Sequence, residues 1–290
     1  MAAGKTLTED LADSLPTIIQ SARIVREFKG VVPQLVDTVT LGEGDGLSWN
    51  EVSLAQLSAQ AIQESTELNN PQKLSDTLFT VTPTVVGIQT LITDRVAARI
   101  SKNAYAKTGA LAQNAIQRKK DEDGITVFDS GTQIGSAGAS GTSGHVSAAI
   151  ARIQGNATEP GNPPFRVVAH PFAIKDIQDE IVSGIGTYPL PVGRTADTFA
   201  GGMQGVLFSA GVFTDGNIPI DGNTDVKNGI FPQEAIVLVQ GRSPYIRMRD
   251  EPHIGGGSVS LFHYDEYAYG ERSSGNWLFE WITDATAPTS

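Results

Sequence analysis

Hydrophobic residues recur every three or four positions near the start of the chain, between residues 8 and 28. They are Leu11, Leu15, Ile18, Ile19, Ala22 and Val25. This spacing predicts an amphipathic helix or arm, in spite of Pro16. The apolar stripe needs a surface that covers it, which is either the rest of its own subunit or a neighbouring molecule.

Two extended segments follow the arm, and a long polar excursion separates them. LVDTVTL at 35–41 and SDTLFTVTPTVVGI at 75–88 are rich in β-branched residues and are predicted to be strands. The stretch SWNEVSLAQLSAQAIQES at 48–65 has too few apolar residues to form a core of its own. Because an isolated two-stranded ribbon is marginal in water, we expect this hairpin to project into solvent or to rest on another subunit.

A long helix is predicted from residue 104, with Asn103 as its N-cap and Gly124 as its stop. Its length should be about 30 Å at the standard rise per residue. The expected buried line consists of Ala104, Thr108, Leu111 and Ala115, flanked by Tyr105, Ala112 and Ile116.

The segment from about 144 to 184 has the pattern of a compact α-β-α unit. Its first helix carries Val146, Ala149, Ile150 and Ile153 on one face. The strand FRVVA at 165–169 follows, and Pro171 and Gly184 start and stop the second helix. The Gly/Ser-rich stretch before this unit, GTQIGSAGASGTSGH at 131–145, is predicted to be a flexible loop.

The last quarter of the chain alternates between apolar and polar residues, which is typical of strands. The predicted strands are AIVLV at 235–239, YIRMRDE at 245–251, SVSLFHYDEYAYG at 258–270 and WLFEWITD at 277–284. No internal repeat and no linker between two complete domains is visible. The chain as a whole is predicted to have an α+β fold whose C-terminus belongs to an antiparallel sheet.

Charge and composition narrow the functional classes. The 290-residue chain has 32 acidic and 21 basic residues and a net charge of −11, which disfavours dedicated nucleic-acid readout. The absence of Cys removes disulfides, thiol catalysis and thiolate metal sites. Neither a targeting signal nor a membrane span is apparent, so we expect a soluble protein made in the cytoplasm.

His170 is the first candidate for catalysis, since it ends a strand and precedes a helix, as catalytic histidines often do in α/β enzymes. A catalytic histidine needs a carboxylate that orients its ring. Asp176 and Asp179 lie too far along the following helix to reach it. A capping or packing role for His170 is the simpler interpretation.

A second group contains residue types that bind metals: His263, Asp265, Glu266 and Glu271. Strand alternation would place His263 and Asp265 on one face, but two ligands do not make a site, so we predict neither a metal nor a cofactor. A short basic patch is formed by Arg242, Arg247 and Arg249. Because Asp250 and Glu251 follow directly, we expect these arginines to form ion pairs within or between subunits.

The order of these segments resembles the major capsid proteins of tailed bacteriophages with the HK97 fold. The stretch from DTLFTVTPTVVGI to AIQRKKDEDGITVF, at 76–128, is similar to the strand that leads from the family's extended loop (E-loop) into its spine helix. PPFRVVAHPFAIKDIQDEI at 163–181 resembles the strand and helix of the axial domain. The stretches at 216–251 and 269–285 resemble the end of the axial domain and the return strands of the peripheral domain.

The resemblance implies a division of the chain into five parts. These are an N-terminal arm at 1–34, the extended β-hairpin loop with its leading strands at 35–84, a peripheral domain with the spine helix at 85–130, an axial α/β domain at 131–235, and the return strands of the peripheral domain at 236–290.

The resemblance also implies a structural protein that assembles with copies of itself into hexamers and pentamers of an icosahedral shell enclosing double-stranded DNA. Scaffold, portal and decoration proteins are further partners that it suggests. Trp49 is expected at the loop tip as an interface anchor. The candidate subunit-interface residues are Trp49, Asn50, Glu51, Leu54 and Leu57 of the loop, Leu11, Leu15 and Ile18 of the arm, and Arg247 and Arg249.

Two alternatives stay open at this point. A bacterial nanocompartment shell of the same fold would enclose enzyme cargo in place of DNA, and an α/β enzyme would use His170 or the group around His263. The lysine and asparagine that form a covalent cross-link in some members of the family cannot be matched here, so no cross-link is predicted.

Overall fold

A computed structural model describes residues 30–59, 61–62, 64, 71–99, 104–184, 205–273 and 275–288. The predicted arm residues Leu11, Leu15 and Ile18 and the predicted cap Asn103 lie outside these ranges. The α-helices are α1 (Val32–Leu35), α2 (Asp94–Arg99), α3 (Ala104–Thr126), α4 (Ser143–Gln154) and α5 (Pro171–Gly184), with 3₁₀ turns at Val127–Ser130 and Gln233–Ala235. The strands are β1 (Asp37–Thr40), β2 (Trp49–Leu54), β3 (Asp76–Val81), β4 (Thr84–Thr93), β5 (Thr132–Gly135), β6 (Phe165–Ala169), β7 (Val206–Leu207), β8 (Ala210–Thr214), β9 (Asp225–Pro232), β10 (Ile236–Asp250), β11 (Ser258–Glu271) and β12 (Phe279–Asp284).

Two long antiparallel strands, β10 and β11, form the centre of a four-stranded sheet in the order β1-β10-β11-β4. The sequence predicts two separate strands where β10 is continuous. Its pairing with β11 shifts register between Gln240, Arg242 and Tyr245. Pro244 lies in this irregular stretch. Proline has no backbone N–H, and at this position no regular hydrogen bond between the two strands is lost. The irregularity therefore shifts the pairing within one strand instead of ending the strand.

Helix α3 packs against the sheet formed by β4 and β11. It has 23 residues, which corresponds to about 35 Å at 1.5 Å per residue. The prediction that Leu111 lies on the buried line is wrong, because Leu111 is 45% exposed while Ala112 and Ile116 are buried. Gly124 does not stop the helix either, because α3 continues to Thr126. A Cβ on Gly124 would lie 2.7 Å from Cγ1 of Val32. The glycine instead permits close packing of α1.

A six-stranded sheet in the order β5-β12-β9-β6-β8-β7 contributes to the main hydrophobic core. The predicted α-β-α unit is confirmed, because α4, β6 and α5 fall within 143–184. The four predicted core residues of α4, Val146, Ala149, Ile150 and Ile153, are all buried. Amphipathic spacing within single elements was therefore sufficient to identify this part of the fold.

The C-terminal strand β12 lies in the six-stranded sheet, antiparallel to β9 and parallel to β5. The expectation that this strand returns to the sheet of β10 and β11 is wrong. Trp281 is fully buried, and the side chains of β12 are mostly buried on both faces. Alternation along a strand shows which residues share a face, but it does not show which sheet receives the strand.

The Gly/Ser-rich connection between β5 and α4 was expected to be a flexible loop, yet its backbone is bonded at several points. Gly138 N–H donates to Asp225 at 2.7 Å, and Asp284 N–H donates to the Ala139 carbonyl at 2.8 Å. A Cβ on Gly141 would lie 2.9 Å from the ring of Trp281. The small residues allow this connection to lie directly against the core.

Candidate subunit-interaction surface

The β2–β3 hairpin forms a two-stranded sheet of its own. Its register runs from Trp49 opposite Val81 to Leu54 opposite Asp76. One more backbone bond, from Ala55 N–H to the Ser75 carbonyl at 2.9 Å, continues the ladder. The predicted long hairpin is therefore present in the described residues, and beyond its ladder the Gln56 side chain donates to the Thr158 carbonyl.

Exposed apolar side chains cover the part of the hairpin beyond its root. They are Val52, Leu54, Leu57, Ile62, Leu74 and Leu78, each more than half exposed. A run of this kind on a polar ribbon is typical of a surface that a partner covers. Leu54 and Leu57 were predicted as interface residues, and the other four were not, because the sequence alone does not show which apolar residues of the hairpin stay exposed.

Trp49 does not lie at the hairpin tip, so this part of the prediction is wrong. It is the first residue of β2 and is half-buried at the root, edge-on to Phe79 with ring centroids 6.1 Å apart. Both rings pack against the buried Val81, Val237 and Val239. Trp49 therefore anchors the hairpin to its own subunit, since the register places it beside the four-stranded sheet.

Arg272 connects the root of the hairpin to the body of the subunit. Its Nε donates to Glu51 at 2.8 Å, one terminal nitrogen donates to Asp37 at 2.6 Å, and the other donates to the Glu234 carbonyl at 3.0 Å. Its guanidinium also lies over the Trp49 ring, 5.6 Å from the centroid. Planar, multidentate bonding of this kind needs arginine, because lysine has no fixed fork of donors.

The other predicted residues of β2 also bond within the chain. Glu51 accepts from Arg272, and Asn50 accepts from the Thr80 hydroxyl at 2.8 Å across the hairpin. Sequence reasoning missed Arg272 because its carboxylate partners are 221 and 235 residues away along the chain. Only the fold brings these groups together.

Replacing Arg272 by Ala is expected to destabilise the subunit by about 1–2 kcal/mol, because the charged hydrogen bonds are lost but their carboxylate partners are partly solvated. Arg272→Lys should recover less than half of this loss, since it restores charge without the fork. Urea unfolding measures both values. Arg249→Ala is the control, because its pair with Glu251 is largely exposed on the arginine side. An equal loss in the control would contradict the role of Arg272.

Arg247 and Arg249 are exposed on the outer half of β10. Arg249 bonds Glu251 at 3.1 Å, as the sequence suggested. Arg247 lies 5.9 Å from the ring of Tyr245, and Arg242 lies 4.0 Å from the same ring. Tyr245 in turn packs at 5.2 Å against Tyr264 of β11. The exposed sheet face thus combines arginines with aromatic rings, which the alternation in YIRMR could have indicated.

His170 caps helix α5. Its Nδ1 accepts the backbone N–H of Phe172 at 3.2 Å, and its ring is edge-on to the Phe172 ring. The backbone N–H of His170 donates to Asn228 Oδ1 at 2.9 Å. Burial lowers the pKa of His170, because the charged ring is disfavoured away from water. The interpretation of His170 as a capping and packing residue is confirmed.

The residues around His263 do not converge on one point. His263 and Asp265 share the buried face of β11, as predicted, but Asp265 pairs with Lys120 at 3.2 Å. Glu271 accepts hydrogen bonds from Ser130 and Gly275 instead. In the described ranges, no group of three or more His, Asp or Glu side chains is arranged to hold a metal ion.

Comparison of the whole fold shows what this chain is similar to. A structure from Mycobacterium phage Che8 matches with a TM-score of 0.68 and 14% identity, covering 90% of this chain and 94% of that chain. The capsid of Ralstonia phage GP4 matches with a TM-score of 0.68 and 10% identity, covering 93% and 95%. The capsid of cyanophage P-SCSP1u matches with a TM-score of 0.68 and 11% identity, covering 97% and 95%.

These similarities exist in the fold and not in the sequence. No protein-family model and no curated protein matches the chain. The chain shares its fold with the GP4 and P-SCSP1u capsids over almost the whole length of both chains, so the α+β, HK97-like fold class is confirmed. In the part of the chain that the structure describes, no helix is both long and apolar enough to cross a membrane.

Proposed function

We propose that this chain is the major capsid protein of a tailed bacteriophage. It assembles in the host cytoplasm into hexamers and pentamers of an icosahedral head that encloses double-stranded DNA, and it has no enzymatic activity. The observation that carries the proposal is the fold shared with the capsids of GP4 and P-SCSP1u and with the structure from phage Che8, which extends over 90% or more of both chains in each comparison.

The parts of the fold have distinct roles in this proposal. The β2–β3 hairpin is the extended loop, α3 is the spine helix, the four-stranded sheet belongs to the peripheral domain and the six-stranded sheet belongs to the axial domain. The strand pairing supports a division into two domains, because the two larger sheets share no strand. Strand β12 is the exception to the proposed bounds, since it lies in the segment assigned to the peripheral domain but pairs with β9 of the axial sheet.

The outer hairpin is the subunit contact in this proposal. Leu54 and Leu57, with the neighbouring exposed leucines, would be covered by an adjacent subunit, because burying apolar area contributes about 25 cal/mol per Å². Leu11, Leu15 and Ile18 of the arm and Arg247 and Arg249 of β10 are the further proposed contacts. Trp49, Asn50 and Glu51 would fix the direction of the hairpin from its root.

The charge of the chain fits a container for DNA. A net charge of −11 makes the shell wall repel the phosphate backbone, so that packaged DNA does not adhere to it. Scaffold, portal and decoration proteins are proposed partners of the assembled head. A nanocompartment shell that encloses protein cargo is the competing assignment, and no observation on this chain favours it.

Negative-stain microscopy and light scattering of the purified protein test the proposal. We expect closed particles or capsomers whose mass is a multiple of 30.7 kDa. Enclosed DNA in particles from infected cells would support a phage head, and a uniform protein cargo would support a nanocompartment. A strictly monomeric protein under all assembly conditions would contradict both.

A further inference from the structure

Two buried carboxyl groups hold the first described residues of the chain. Val31 N–H donates to Asp215 Oδ2 at 3.3 Å, and Val32 N–H donates to Asp121 Oδ1 at 3.1 Å. Asp121 is 0% and Asp215 is 1% exposed. Gly30 lies so close that a Cβ on it would overlap the Asp121 carboxyl group. The backbone that follows the N-terminal arm is thus fixed by two acids.

Asn217 joins the two acids to each other. Its backbone N–H donates to Asp215 Oδ1 at 2.9 Å, and its side-chain Nδ2 donates to Asp121 Oδ2 at 2.9 Å. Among the described residues, neither acid forms an ion pair with a Lys, Arg or His side chain. Two carboxylates that are buried together without a cation repel each other, and a shared proton relieves this repulsion.

The charged groups near the pair bind other partners, so they do not neutralise the two acids in place of a proton. On α3 itself, Lys120 pairs with Asp265 and Glu122 pairs with Arg118. From β11 the Tyr269 phenol faces the pair, and its pKa is raised by burial and by the Asp121 charge. α1 contributes backbone amides and the apolar Val32. Burial, together with the hydrogen bond to Asp215, raises the pKa of Asp121 to about 7.

We propose that Asp121 and Asp215 share one proton and form a pH-dependent latch on Gly30–Val32, where the arm joins the folded subunit. The latch holds while the proton is present and loosens when it is lost. The sign follows from the raised pKa of Asp121, since the folded state keeps a proton that the unfolded chain releases near 3.8. The stabilisation is therefore complete below about pH 3.8 and is lost progressively as the pH rises from there through about 7. The latch depends on contacts within one subunit and does not rest on the proposed function.

Hydrogen exchange of the full-length protein, measured by mass spectrometry in one assembly state, tests the latch. After correction for the intrinsic exchange rate, protection of residues 30–36 should fall about tenfold from about pH 5.5 to about pH 8.5, while protection of β6 stays constant. Asp121→Asn, which imitates the neutral acid, should remove this dependence. Glu122→Gln, the exposed neighbour, should leave it unchanged.

A pH-independent wild type, or an Asp121→Asn variant with the wild-type pH step, would overturn the latch. If Asp121→Asn does not fold, infrared difference spectra of the wild type decide the question. A protonated carboxyl band that disappears near pH 7 supports the shared proton, and its absence overturns it. Shell formation is scored separately by microscopy, so a failure of the latch leaves the capsid assignment untouched.

Discussion

Shortening the β2–β3 hairpin to its root is expected to abolish shell assembly while the subunit stays folded. The change replaces residues 55–75 by an Asn-Gly turn, which suits a two-residue hairpin. It removes Leu57, Ile62 and Leu74 but keeps Trp49 and its packing on Phe79. Light scattering should show a small species in place of particles, and the melting temperature should change by only about 2–4 °C.

A substitution that introduces one charge tests the same surface at a single residue. Leu54→Asp should weaken assembly at least about tenfold, because an unpaired carboxylate would be buried in the contact. Ser53→Asp is the matched control, since it adds the same charge at the neighbouring exposed position on the opposite face of β2. If the truncated subunit unfolds, the outer hairpin belongs to the core of the subunit; if it still forms particles, the hairpin is not the contact.

Breaking the buried pair of Lys120 and Asp265 is expected to be the most destabilising single change. The two side chains are 5% and 1% exposed and 3.2 Å apart. Lys120→Ala leaves the Asp265 carboxylate buried without its cation, which should cost about 3–5 kcal/mol. The shift of the urea unfolding midpoint, taken with the slope of the transition, measures this loss.

The double variant Lys120→Met/Asp265→Leu distinguishes the cost of one unpaired buried charge from the loss of the pair itself. Because the double variant leaves no buried charge without a partner, it should be more stable than Lys120→Ala by at least about 2 kcal/mol. Lys119→Ala is the control on the same helix, because its exposed pair with Asp123 should contribute less than about 1 kcal/mol. Equal losses for Lys119→Ala and Lys120→Ala would contradict the assignment.

The sequence predicted best where a pattern is local. Helices α4 and α5 have regular apolar spacing, and the Pro171 start signal lies within the helix itself, so this unit was located to within a few residues. The stripe of α3 was harder to identify, because Lys120 and Asp121 are both buried on that helix. Buried charges that find partners elsewhere in the fold give no apolar signal.

The candidate site was predicted in outline and missed in detail. The hairpin followed from two strand-like segments with polar residues between them, but the position of Trp49 depends on a register that the sequence does not specify. The Arg272 network and the pair of Asp121 and Asp215 each join residues that are far apart in sequence. Such contacts exist only once the two larger sheets have formed.

The position of β12 has a consequence for synthesis of the protein. This strand contains residues 279–284 and lies between β5 and β9, so a strand that follows all the others of this sheet in the chain fills an interior place in it. A prematurely terminated chain would lack that strand and leave the edges of both neighbours unpaired. The six-stranded sheet can therefore be completed only after β12 has been synthesised.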